Sequence, residues 1–210
     1  MKLDNRKLDL TKAYPSYYSA PQVTQKCYFD EIPYLTIDGE GDPNGPGFAE
    51  ATEALYTVAY GIKGMYKQED QDFTVAKLEG LWWARSHSGQ DAMYASRDDW
   101  MWKLLIRMPD YASAERFEEA RMLAVNKKPH LVPLRSVSFE RLYEGHCVQM
   151  LHVGPFSTEP ETIRQIFEYI EAQRLTPKGR HHEIYLSDPR RTPPHKMRTI
   201  LRHPVIQQEN

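Results

Sequence analysis

The order strand–helix–strand–strand occurs twice along the chain, and this repeat constrains the fold more than any other feature. In the first copy, Tyr28 to Glu40 alternates apolar and polar residues with β-branched ones until GEGDPNGPG breaks the pattern, as a strand followed by a loop does. From Phe48 the apolar positions Phe48, Ala51, Leu55, Val58, Ile62 and Met65 step by three and four, which predicts a helix of roughly 20 residues. Two strands follow: Phe73 to Arg85, containing KLEGLWWAR, and Trp100 to Met108, reading WMWKLLIRM and stopped by Pro109. In the second copy a strand system from Val137 to Val153 ends at Gly154-Pro155. Thr158, with Glu161 three residues on, reads as a capping box for a helix that buries Ile163, Ile166, Phe167 and Ile170. Lys178-Gly179 then turns the chain into a strand at HHEIYLSD, and a last strand covers Lys196 to Leu201.

Between the copies, Ser113 is the expected N-cap of an extra helix reaching about Lys127, with Phe117, Ala120, Leu123 and Ala124 on its buried face. The repeat predicts an α+β fold of two βαββ modules about a pseudo-twofold axis, with a groove between them. Module one spans about 28–110, the connecting helix about 113–127 and module two about 137–206. Residues 1–27 are polar and too few for a helix-turn-helix domain; they read as an N-terminal arm lying on the domain.

Charge and cysteine content narrow the function. Lys plus Arg total 27 against 29 Asp plus Glu, so the basic excess expected of a duplex-binding protein is lacking. Two cysteines outside any CxxC pair give no disulfide framework. No apolar run approaches the ~18–20 residues of a membrane span, and MKLDNRKLDL lacks the apolar core of a signal peptide. A cytoplasmic setting without membrane contact is therefore expected. The unusual excess is aromatic: thirteen Tyr, seven Phe and four Trp must be packed or used.

Period 2 places His181, Glu183, Tyr185 and Ser187 on one strand face and His182, Ile184 and Leu186 on the other. The second set is the more apolar and is expected to meet the helices. Glu183 and Tyr185 would then line the groove, where a carboxylate walled by aromatics can act as acid, base or cation anchor. The alternative is a solvated strand face. Glu79 in KLEGLWW holds the position that Glu183 holds in HHEIYL, so both are expected near the axis. Trp82 and Trp83 point to opposite faces, whereas Trp100 and Trp102 share one; with Tyr56 and Tyr60 they are either core or flat walls suited to planar or cationic ligands. No H-E-x-x-H or CxxC spacing accompanies the histidines, so neither a metal nor another cofactor is expected, and Cys147 reads as a small buried hydrophobe. Arg190, Arg191, Lys196, Arg198 and Arg202 form a basic run that reads as a solvated face or as a local site for an acidic partner.

The runs EGHCVQMLHVGPFSTEPETIRQIFEYIE and GRHHEIYLSDPRRTPPHKMRTILRHPV resemble the GyrI-like small-molecule-binding family, and LEGLWWAR with WMWKLLIRMPDY resembles its stand-alone branch. The resemblance covers roughly 28–206, with HHEIYLSDPRR its most specific stretch. It implies an SHS2-type βαββ repeat around a central ligand groove, with the family's groove acid at Glu183. It also implies similarity to hydrolases that disarm cyclopropanoid DNA-alkylating compounds inside an aromatic cage. On that reading the protein detoxifies planar aromatic xenobiotics. Glu183 serves as base or acid and Tyr185 as donor, with Trp82, Trp83, Trp100, Trp102, Tyr56, Tyr60 and Glu79 as the residues that hold substrate. Two other readings stand beside it: a non-catalytic protein that sequesters cationic or aromatic small molecules, and a module that shields a macromolecular partner such as a topoisomerase. Direct DNA binding is not expected.

Overall fold

A computed structural model describes residues 7–85 and 95–207, so the first six residues of the arm lie outside it. In chain order the elements are β1 (Leu8–Asp9), α1 (Leu10–Ala13), β2 (Gln25–Phe29), β3 (Ile32–Glu40), α2 (Pro46–Gln68), β4 (Phe73–Thr74), β5 (Leu78–Ala84) and β6 (Trp100–Arg107). They continue with α3 (Ala114–Lys127), β7 (Ser138–Leu142), β8 (Gly145–Val153), α4 (Glu159–Ala172), β9 (Leu175–Pro177), β10 (His181–Tyr185) and β11 (Arg198–Gln207). The large antiparallel sheet runs β2-β8-β11-β10-β5-β6-β3-β7, with β9 also on β11.

That order carries the repeat. Module two supplies β8-β11-β10 and module one supplies β5-β6-β3, a mirrored succession whose pseudo-twofold axis passes between β10 and β5. The central pair is antiparallel, with Glu183 opposite Gly80 and Ile184 opposite Glu79. Two readings are corrected in detail: Tyr28 to Glu40 is two strands, because the chain leaves the sheet at Asp30-Glu31 between β2 and β3, and Phe73 to Arg85 divides into β4, which pairs with β1, and β5 of the large sheet.

The helices form where the apolar spacing places them. Pro46 opens α2, whose buried face is Ala51, Leu55, Val58 and Ile62, with Ala54, Ala59 and Tyr66 beside it. The Ser113 side chain accepts a hydrogen bond from the Arg116 amide and starts α3. Phe117, Ala120 and Ala124 of α3 are buried, but Leu123 is 57% exposed, because α3 packs along α2 on a stripe too narrow to include it. Module two has a core of its own, in which Ile163, Ile166 and Ile170 of α4 meet Val148, Met150, Leu201 and Val205. Full burial of each isoleucine contributes about 1.5–3 kcal/mol. The expected capping box at α4 is not formed: Thr158 donates to the Pro155 carbonyl and Glu161 pairs with Arg164. No helix among the described residues is long and apolar enough to cross a membrane.

Both helices α2 and α4 cover the same sheet face. Trp102 lies on it, 3% exposed and edge-on to Phe48 of α2 at 5.2 Å. Gly39 sits opposite Trp102 on β3, and any added Cβ would overlap the indole ring. Gly39→Ala is therefore expected to destabilise the fold by about 1–3 kcal/mol through overpacking. Thermal melts measure this, and a Gly39→Ala/Trp102→Phe double variant should recover part of the loss. The opposite sheet face is covered by the arm, whose Tyr17 and Tyr18 are buried. Pro21 of the arm accepts a backbone hydrogen bond from Leu151 at 2.8 Å.

Candidate functional site

Strand alternation is present in β10, but the expected faces are exchanged. Glu183 pairs with Leu201, which packs against α4, so the Glu183–Tyr185 face lies toward the helices. His182 and Ile184 point to the arm side, where the Tyr17 hydroxyl donates to Glu79 at 2.5 Å and His182 bonds the same carboxylate at 3.0 Å. The apolar look of His182, Ile184 and Leu186 misled because His182 is buried by neutralising partners rather than by hydrocarbon. Glu79 moves with it. It is fully buried on the arm side, and the residue opposite Glu183 is Gly80. A one-residue offset in register places two carboxylates that align in sequence on opposite faces.

On the helix side, between α2 and α4, three side chains form a hydrogen-bonded chain. The Trp82 indole N–H donates to the Tyr185 oxygen at 2.9 Å, and the Tyr185 hydroxyl donates to Glu183 Oε2 at 2.9 Å. Gly80 makes room for this, since a Cβ there would stand 2.7 Å from Trp82 Nε1 and 3.0 Å from the Tyr185 hydroxyl. His181 Nε2 lies 3.5 Å from Glu183 Oε1. Burial first, then the charge of Glu183, pushes the Tyr185 phenol well above its ordinary value, so the phenol stays protonated and donates.

Aromatic rings wall this chain. Phe48 stacks near-parallel on Trp82 at 6.0 Å, Trp100 meets Trp82 edge-on at 5.7 Å, and Phe156 meets Tyr185 edge-on at 5.8 Å. Of the residues singled out in the sequence, Glu183, Tyr185, Trp82 and Trp100 come together here. Trp102 lies on the same face but is packed over Gly39. Trp83 is on the opposite face with the Arg180 guanidinium 3.4 Å from its ring centre, and Glu79 is inside the arm-side network. Tyr56 is half-buried on α2 with its ring 6.3 Å from that of Tyr60, which is 58% exposed. Phe48 and Phe156 were missed as wall residues. Their signal was present, because PGF and GPF stand at the starts of the two equivalent helices.

Glu159 was also missed. It opens α4, is 5% exposed, and its Oε1 has no hydrogen-bond partner among the described residues. Burial, then the neighbouring Glu183 charge, raises its carboxyl well above the usual range, and a hydrogen bond from Thr199 offsets only part. The cluster thus joins a buried carboxyl held well above its usual range to a second whose acceptor oxygen is fixed by a phenol. A carboxyl with a raised folded-state value keeps its proton where the unfolded chain has released it, above about 4.5, and this costs stability as pH rises. Glu159→Gln is therefore expected to raise the melting temperature at pH 8, with the gain shrinking toward pH 4.

The basic run divides. Arg190 pairs with Asp188 at 3.0 Å on the surface, whereas Arg202 is fully buried and reaches Glu144, Gln149 and the Tyr17 carbonyl. Cys147 is buried, as its apolar strand suggested.

Two mirrored βαββ modules thus place their helices on one sheet face, with an aromatic, carboxyl-bearing cluster on that face at the pseudo-twofold axis. The chain belongs to the GyrI-like small-molecule binding domain family, whose model matches residues 22–205. An uncharacterized conserved protein from Listeria innocua is similar in structure, with 38% identity, a TM-score of 0.87, and coverage of 95% of this chain and 100% of that one. A hydrolase from Listeria innocua is 38% identical with a TM-score of 0.83, over 95% of this chain and 100% of that one. The EcmrR C-terminal domain, at 9% identity and a TM-score of 0.61 over 88% of this chain and 98% of that one, shares the fold. Among curated proteins none matches the chain.

Proposed function

We propose that the protein binds planar aromatic xenobiotics in this groove and hydrolyses cyclopropanoid DNA-alkylating compounds, opening their strained ring. The observation that carries the reading is the chain Trp82–Tyr185–Glu183 beside the buried Glu159, inside aromatic walls. The family resemblance and the similarity to the Listeria innocua hydrolase support the reaction class.

In a spirocyclopropyl dienone, water adds to the cyclopropane methylene as the ring C–C bond breaks. The bonding electron pair moves through the dienone to the carbonyl oxygen, which takes up a proton and becomes a phenol. Glu183 accepts the proton lost by water. Tyr185 occupies Oε2 and leaves Oε1 for that water, and the Trp82 indole holds Tyr185 in turn. Glu159 gives its proton to the oxygen and recovers it from Glu183 after turnover. A buried carboxyl whose hold on its proton is strengthened can serve as the acid to a neighbouring base. Trp82, Trp100, Phe48 and Phe156 supply faces and edges for a planar ring system.

A second reading, sequestration of cationic aromatics without turnover, is favoured by one feature: the ion-pair partner of Glu183 among the described residues is a histidine, at 3.5 Å, not a lysine or arginine. Mass spectrometry separates the two. A product heavier by one water, formed in many equivalents per protein, supports the hydrolase. Protection of one equivalent without an adduct supports the binder.

A further inference from the structure

The arm-side face of the sheet holds a cavity of about 170 Å³ that no part of the groove uses. Leu81, Leu105, Leu142 and Pro204 form apolar walls, Glu144 and His182 lie at the floor, and Arg180 stands among the lining residues. The floor is electrostatically closed. Glu144 bonds His182 Nδ1 and Arg202 Nη1, each at 2.8 Å, and His182 Nε2 bonds Glu79 at 3.0 Å. Two carboxylates thus face two cations, which leaves the floor without a net charge to repel an anion.

Arg180 is the exception. It is exposed, its guanidinium carbon sits over the Trp83 ring 3.4 Å from the centre, and it pairs with no carboxylate among the described residues. The nearby Glu140 is already engaged by Lys103 at 2.8 Å and by Thr36 at 2.5 Å. A guanidinium stacked on an indole keeps its edge N–H groups free, and that edge matches a carboxylate in bidentate geometry. The volume falls below the ~300 Å³ of a drug-sized site and suits a single ring.

From this juxtaposition we infer that the arm-side cavity is a second small-molecule site, for an organic monocarboxylate of about the size of benzoate. The ring lies between Leu81, Leu105, Leu142 and Pro204, and the carboxylate meets the Arg180 edge. The site is independent of the groove reaction, although Leu81 and His182 alternate along β5 and β10 with Trp82 and Glu183.

Titration of ¹⁵N-labelled protein with benzoate, benzyl alcohol and benzylamine tests it. Benzoate is expected to shift the amides of Leu81, Leu105, Leu142 and His182 with a Kd of about 1 mM, as ligand efficiency allows for so small a compound. Benzyl alcohol should bind at least tenfold more weakly and benzylamine not at all. Arg180→Ala, a surface change, should raise the benzoate Kd at least tenfold, and Leu142→Trp should abolish binding by filling the cavity. The inference fails if 10 mM benzoate causes no shift, if the shifts fall on Trp82 and Glu183 instead, or if Arg180→Ala binds as well as the parent.

Discussion

Glu183→Gln is expected to lower turnover of a spirocyclopropyl dienone by about 10²–10⁴, the range for loss of a general acid or base. The substitution keeps the size of the side chain and the acceptor for Tyr185, but it can no longer take the proton from water. Binding of a neutral planar ligand should survive, since the rings of Trp82, Trp100 and Phe48 are untouched. Trp82→Ala is the control: it removes a wall and the hydrogen bond that holds Tyr185, so it should weaken ligands of either charge. Parental turnover in Glu183→Gln would remove Glu183 from the mechanism and leave Glu159 as the carboxyl to test. If the protein is a binder, the same variant loses affinity for cationic ligands alone. A thermal melt accompanies each assay, and no large change is expected for a half-buried groove residue.

Arg202→Met should produce the largest loss of stability, about 3–5 kcal/mol, because it leaves the Glu144 carboxylate buried with one cation fewer. For a chain of this size that corresponds to a fall in Tm of roughly 6–20 °C. Arg202→Lys keeps the charge but not the fork that reaches Glu144, Gln149 and the Tyr17 carbonyl together, so its loss should be smaller and measurable even if Arg202→Met does not fold. The same network sets a pH window. Burial disfavours a charged His182, but Glu144 and Glu79 outweigh it and raise the imidazole to about 9. Its contribution is full below the unfolded value of 6.5 and is lost as pH rises through about 9. Burial likewise disfavours the Glu144 anion, but His182 and Arg202 outweigh it and hold the carboxyl at about 2. That contribution is present above the unfolded value of 4.5 and is lost as pH falls through about 2. Melting temperature against pH, parent against Arg202→Lys, checks both limbs.

How far the sequence reached depended on whether a property was local. The spacing in α2 and α4 and the alternation in β10 are properties of short windows, and the structure contains each of them. The direction in which β10 faces is not local. It depends on which side the helices and the arm dock, and His182 passes for an apolar-face residue because its partners come from positions 79 and 144. Glu79 could not be assigned for the same reason, since a register offset of one residue decides its face. Glu159 reads as an ordinary acid in the first turn of a helix, where most are solvated. Only the docking of α4 over Thr199 and Glu183 buries it. Arg202 did carry a signal that went unused: in TILRHPV it alternates with Ile200, a pattern of an inward side chain rather than a solvated one.

The hydrogen bond from Arg202 to the Tyr17 carbonyl bears on synthesis as well as on stability. The ribosome makes residue 17 long before residue 202, and the arm cannot be fastened until β11 has emerged. Module one can pair β3, β5 and β6 early, yet Glu79 then lacks His182, and its strand edge at β5 waits for β10. The nascent chain therefore carries an unpaired edge and a carboxylate without its His182 partner until β10 has emerged. Closure of the sheet is a late event, and its timing exposes the half-made protein to misassembly.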